Sequence, residues 1–166
     1  MQPETKVVIR PAELMDGDAV WTIIEPIIRA AETYTLASDM NRSDALTYWF
    51  SEDHEVFVAE DGKEIVGTYY LKANHAGGGA HVANAGYVTA AWANGRGVAQ
   101  SMLAHSLERA IERGFRAMQF NFVVSSNKRA VKLWRSYGFE IVGTLPQAFL
   151  HPSLGYVDAF VMYRTL

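Results

Sequence analysis

The chain has no cysteine among its 166 residues. That removes disulfides, thiolate zinc sites and a cysteine nucleophile together. Positive charge is not in excess either, with 15 Lys and Arg against 18 Asp and Glu for a net charge of -3. A nucleic-acid-binding surface needs clustered positive charge, so such binding is not expected as the main activity. No apolar run approaches the roughly 20 residues of a membrane helix. Met1 to Lys6 lack the charged and apolar zones of a signal peptide, and a soluble cytoplasmic protein is the default expectation. The five histidines, at 54, 75, 81, 105 and 151, show neither H-x-x-x-H nor H-x-x-E-H spacing, so no metal site is expected. No internal repeat or low-complexity linker divides the chain. With 49% hydrophobic residues it reads as one globular domain over residues 1–166.

What the sequence does contain is a mixed order of strands and helices. A strand over Lys6 to Arg10 ends at Pro11, and a helix follows from Asp18 to Glu32, capped by Asp16 or Asp18. Pro26 lies inside that helix and is expected to kink or split it. A short helix runs from Ser43 to Phe50 with Ser43 as its cap. Its Tyr48, Trp49 and Phe50 crowd too closely to share one face, so at least one should be exposed or at an interface. Glu55 to Ala59 and Ile65 to Lys72 pair as strands across an Asp61-Gly62 turn, and Gly77-Gly78-Gly79 reads as a hairpin connection. A strand over Val82 to Ala90 leads into a third helix, whose apolar face carries Val98, Met102, Leu103, Leu107, Ala110 and Ile111 before Gly114 closes it. Met118 to Val124, a helix from Asn127 to Tyr137, and strands over Phe139 to Thr144 and Tyr156 to Tyr163 complete an α/β domain.

Between that long strand and the third helix lies Asn94-Gly95-Arg96-Gly97-Val98-Ala99. Two glycines between a strand end and a helix start aim several backbone N–H groups one way, and the helix dipole adds to them. The result is a site for a phosphate or pyrophosphate, or a turn that merely caps a helix.

This segment resembles the R/Q-x-x-G-x-G/A signature of the GNAT superfamily of acyl-CoA-dependent N-acetyltransferases. Asn127, Ala130, Leu133, Trp134, Gly138 and Phe139 are similar to a second family pattern, N-x-x-A-x-x-L-Y-x-x-x-G-F. The resemblance covers Val82 to Tyr163. It implies a GNAT fold: a mixed, mostly antiparallel sheet of six to seven strands flanked by about four helices, binding acetyl-CoA without a metal. A closer likeness, to the yeast proline-analogue N-acetyltransferases, rests on His81 to Tyr87, Phe120 to Val123 and Val157-Asp158-Ala159. It implies that Asn84 and Asn121 hold the acceptor. Family analogy also implies a homodimer through the closing strands.

Two positions depart from the family pattern. Asn94 replaces the usual arginine or glutamine. Trp134 replaces the tyrosine that protonates the leaving thiolate, and an indole N–H is no practical acid. Tyr137, nearly one turn on, is a candidate for that role or else a core aromatic.

The resemblance implies that backbone groups around Val88 and Thr89 align the pantetheine arm. The N–H groups from Gly95 through Ala99 take the pyrophosphate, and Asn127, Ala130 and Trp134 meet the coenzyme from the next helix. An N–H of a bulged fourth strand polarises the thioester. Asn84 and Asn121 cannot act as bases; they either position the acceptor or are satisfied amides. Tyr34, in the segment that lids the acceptor site in this family, walls the pocket or packs on the surface. His81 is a proton acceptor or, like His75, an exposed histidine. Asp158 bonds a loop or meets the substrate amine. The activity expected is acetyl transfer to a small-molecule amine, an amino acid or proline-like analogue foremost. A CoA-binding sensor without turnover and acetylation of a protein amine are the alternatives.

Overall fold

The computed structural model describes residues 6–166, so Met1 to Thr5, the start of the segment tested above for a signal, lie outside it. Seven strands form one sheet in the order β1-β2-β3-β4-β5-β7-β6. They are β1 (Val8–Pro11), β2 (Glu55–Asp61), β3 (Glu64–Ala73), β4 (Val82–Thr89), β5 (Ala117–Val124), β6 (Glu140–His151) and β7 (Gly155–Thr165), with helices α1 (Gly17–Ala30), α2 (Arg42–Trp49), α3 (Val98–Glu112) and α4 (Lys128–Ser136). All neighbouring strands are antiparallel except β4 and β5, which are parallel. A parallel pair needs a crossover, and α3 supplies it.

Alternation along β3 assigns the helices to the two faces. A Cβ on Gly67 would meet Val98 and Met102 of α3. Its neighbour Thr68 turns the other way and accepts from the Trp49 indole N–H of α2 at 3.0 Å. Trp49 and Thr68 are fully buried, and the Thr68 hydroxyl in turn donates to the Phe57 carbonyl at 2.8 Å. Thr68→Val keeps the volume and strands the buried Trp49 N–H, so it should cost about 1–3 kcal/mol. Denaturant unfolding measures this, and a loss below ~0.5 kcal/mol contradicts it.

Several local expectations are corrected. Asp16 does not cap α1 with its side chain. Its carboxylate accepts from both terminal guanidinium nitrogens of Arg10, at 2.8 and 2.9 Å, and from the Glu13 N–H. The hydrogen bonds from Arg10 hold it below the ordinary carboxylate range. Pro26 does not split α1, which runs unbroken with Val20, Ile23, Ile24 and Ile28 buried on both sides of it; burial of both halves outweighs the bond that proline removes. Asn41, not Ser43, caps α2 by accepting the Asp44 N–H at 2.8 Å. Of the three crowded aromatics none is fully exposed: Trp49 is buried and Tyr48 and Phe50 are half-buried. Ile111 is exposed, because at about 100° per residue it falls outside the stripe that Val98 to Ala110 define. Ser106 occupies the stripe instead and bonds the Leu103 carbonyl and the Tyr87 hydroxyl.

The feature that makes a site is where β4 and β5 part. They are paired only at Val82↔Ala117 and Ala83↔Met118. Beyond Ala83 a wedge opens between them toward the strands' C-terminal ends. β4 stays in continuous register with β3 from Gly67↔Thr89 to Ala73↔Ala83, so it carries no bulge on that side. A register shift lies instead in β5, between Phe120 and Val123 where it pairs with β7, and not in the fourth strand as expected.

Candidate active site

The wedge is a cavity of about 790 Å³, within the roughly 300–1,000 Å³ typical of small-molecule sites. It runs from the glycine turn, past the parted edge of β4, to the face of the sheet covered by α1 and α2.

At one end, Gly97 caps α3 with φ +75° and Gly95 has φ +84°. A Cβ at either would meet no protein atom within 4 Å. Both glycines line the cavity, so the space that such a Cβ would fill is the cavity's own. The Arg96 N–H is taken by the Ala93 carbonyl and that of Ser101 by Gly97. The N–H groups of Gly95, Gly97, Val98, Ala99 and Gln100 remain without backbone partners at this lining. That is an anion cradle in both chemistry and shape. The Arg96 side chain is not part of it: the guanidinium turns back to Asp61 at 3.2 Å and to the Trp92 carbonyl. Across the cradle, Asn127 caps α4 through the Ala130 N–H at 3.3 Å, and Asn94, Asn127, Ala130 and Trp134 all line the cavity.

Along the middle, hydrogen-bond parity decides which β4 groups face the wedge. The Ala90 N–H donates to Val66 and the Val82 carbonyl accepts from Asn74, both on the β3 side. Even-numbered residues therefore bond β3, and Ala85, Tyr87 and Thr89 turn their backbone groups toward the wedge. Tyr87 agrees, since its carbonyl accepts the Tyr34 hydroxyl at 3.0 Å. Thr89 is one of these residues, and Val88 also lines the cavity while its backbone pairs with β3. Trp134 leans on Tyr87 and Phe120, with centroids 5.2 and 4.9 Å away, so an aromatic wall lines this stretch.

At the far end lie Asn84 and Asn121, with Tyr34, Tyr48 and Tyr70 around them. Tyr70 lies across Gly86, where a Cβ would come within 2.6 Å of its ring, and its hydroxyl is 3.1 Å from that of Tyr48. Burial pushes the Tyr34, Tyr70 and Tyr87 hydroxyls well above the ordinary phenol range, so all three are neutral at physiological pH. No aspartate, glutamate or histidine is among the described residues lining the cavity; its charged groups are Arg129 and Lys132 of α4.

Other sequence-singled residues fall elsewhere. Tyr137 ends α4, packs against the core and does not reach the cavity. His75 and His81 are exposed and outside it. Asp158 accepts the Gln147 N–H at 2.9 Å, in the stretch of β6 where the register with β7 shifts. Gln100, Tyr48, Tyr70, Arg129 and Lys132 were not anticipated. Gln100 follows directly on the glycine turn in sequence, while the others are brought in by packing.

The sheet with its parted β4 and β5, and a glycine turn at the head of the crossover helix, define the class of protein. Residues 21–139 match the acetyltransferase (GNAT) family, and the chain belongs to that family of acyl-CoA-dependent N-acetyltransferases. A GCN5-related N-acetyltransferase from Kribbella flavida is 39% identical, with 99% of this chain and 100% of that one covered and a TM-score of 0.94. N-acetyltransferase aca1 of Schizosaccharomyces pombe is 24% identical over 151 residues, 81% of this chain and 72% of that protein. A phosphinothricin acetyltransferase from Sinorhizobium meliloti, solved in complex with AcCoA, is 18% identical, covers 96% of this chain and 88% of its own, and shares the fold with a TM-score of 0.83.

Proposed function

We propose that this enzyme transfers an acetyl group from acetyl-CoA to the amine of a small molecule, an amino acid or proline-like analogue before others. The observation that carries the proposal is a single cavity joining the N–H cradle of the glycine turn to the Asn84–Asn121 face along the open edge of β4. The likeness to N-acetyltransferase aca1 supports transfer to an amine, and a phosphinothricin acetyltransferase shares the fold. Thr33, Tyr34 and Thr35, between α1 and α2, line the cavity and limit the room for an acceptor there, which favours a small one.

The donor thioester brings the acetyl group and the leaving thiol; the chain supplies position. The cradle N–H groups hold the pyrophosphate, and Asn127 reaches it from α4. The backbone of Tyr87 and Thr89 orders the pantetheine arm as an added strand, and a wedge-facing N–H of β4 polarises the thioester carbonyl. Asn84 and Asn121 hold the acceptor so that its nitrogen lone pair meets the carbonyl carbon. The C–N bond forms, the C–S bond breaks, and the amine proton is left for the sulfur. Orientation of two bound partners contributes roughly 7–11 kcal/mol, so no enzyme nucleophile is required.

Asn84→Ala and Asn121→Ala test the acceptor end. Each should lower kcat/KM for the acceptor about 10- to 100-fold, as loss of a hydrogen bond to a charged group does, and leave the KM for acetyl-CoA within about two-fold. Steady-state thiol release measures both constants. Equal losses for donor and acceptor would assign these amides to the fold instead.

A further inference from the structure

The bulge in β5 falls at Asn121 and Phe122, between the paired residues Phe120 and Val123. A bulge re-aims the side chain it carries, and here the re-aimed amide is held at both ends. The Asn121 Oδ1 accepts from Gln119 Nε2 at 2.9 Å, and its Nδ2 donates to Asn74 Oδ1 at 2.7 Å. Asn84 is tied to the same stretch, its Nδ2 donating to the Gln119 backbone carbonyl at 2.9 Å. Asn74 sits just past the end of β3, its backbone N–H bonded to Val82, and does not line the cavity. Its Nδ2 is buried and has no partner. A buried donor left unsatisfied costs stability, and the contact Asn74 does make is with Asn121.

We propose that Asn74 is a positioning residue that sets the acceptor preference by fixing the Asn121 amide; this rests on the acceptor role proposed above for Asn84 and Asn121. With one N–H given to Asn74 and the oxygen engaged by Gln119, Asn121 keeps one N–H to offer. Asn84 keeps its oxygen and one N–H. An acceptor amine gives its N–H to the Asn84 oxygen, and an adjacent carboxylate takes the two amide N–H groups. The array therefore selects an amine that carries a carboxylate beside it over the same amine without one.

The test is acetyl transfer, read as thiol release, to L-proline and other α-amino acids and to pyrrolidine and the other matching decarboxylated amines. Rates are compared at equal concentrations of neutral amine. The parent enzyme should favour the amino acids, and Asn74→Ala should reduce that preference at least ten-fold with the KM for acetyl-CoA unchanged. Asn74→Asp, which keeps the oxygen that Asn121 bonds, should restore most of it. Gln119→Ala removes the other anchor while leaving its backbone carbonyl for Asn84, and should reproduce the loss if Asn74→Ala fails to fold. A preference unchanged in both alanine variants overturns the role of Asn74 and leaves the acceptor site standing. A parallel fall for both acceptor classes and for acetyl-CoA makes Asn74 structural, which also overturns it. A parent enzyme that acetylates the decarboxylated amines as well as the amino acids, or neither, overturns the amino-acid reading itself and this inference with it.

Discussion

Gly97→Glu should abolish acetyl-CoA binding and leave the protein folded. Gly97 lines the cavity with φ +75°, and a Cβ there points into open space. A glutamate carried by that Cβ stands where the cradle N–H groups converge, so it both fills the anion's place and repels it. Two unit charges about 4 Å apart near a protein surface interact by about 4 kcal/mol, close to a thousand-fold in affinity. The backbone cost of a side chain at positive φ is only about 1–2 kcal/mol, against a usual stability of about 5–15 kcal/mol. Calorimetric titration with CoA, beside a melting curve, separates the two effects. Affinity that survives in a folded Gly97→Glu protein places the pyrophosphate elsewhere.

The second large effect is on pH. No carboxylate or imidazole is among the described residues lining the cavity, and its buried phenols Tyr34, Tyr70 and Tyr87 are held neutral by desolvation. None of them is a base for the acceptor. The acceptor must shed its proton to water, and only its neutral fraction reacts. Its log(kcat/KM) should therefore rise by about one per pH unit until the pH passes the acceptor's own pKa. That point is about 8 for a peptide-like α-amine and about 10.4 for a lysine-like one. Two acceptors that differ by two pKa units should thus differ by about a hundred-fold at neutral pH and converge at high pH. Thiol release between pH 6 and 10 with such a pair measures it. A single inflection common to both acceptors would reveal an enzyme base and contradict the mechanism.

The parts of this site that sequence made legible are those built from contiguous backbone. The glycine turn and the α3 start each need specific residues at fixed local spacing, because φ and helix geometry act over a few positions. The direction of a long side chain is not fixed that way. Arg96 sits in the turn but is drawn back to Asp61 on β2, and Tyr137 packs on the core instead of entering the wedge. The likeness to the proline-analogue group singled out Asn84 and Asn121 as a pair, yet the bulge that carries Asn121 lies in β5, and β4 shows none against β3. Bulge position depends on pairing with β7, some forty residues away, which no local pattern encodes. Asn74 was invisible for the same reason: its role exists only through a 47-residue separation closed by the sheet.

Thiol release from acetyl-CoA across a panel of amino acids, proline analogues and simple amines tests the proposed reaction most directly. Rapid release with an amino acid or cyclic imino acid, lost in Gly97→Glu and weakened in Asn121→Ala, is the predicted result. Tight CoA binding with no release for any acceptor would contradict it, and would make the cavity a CoA-sensing site on an acetyltransferase fold.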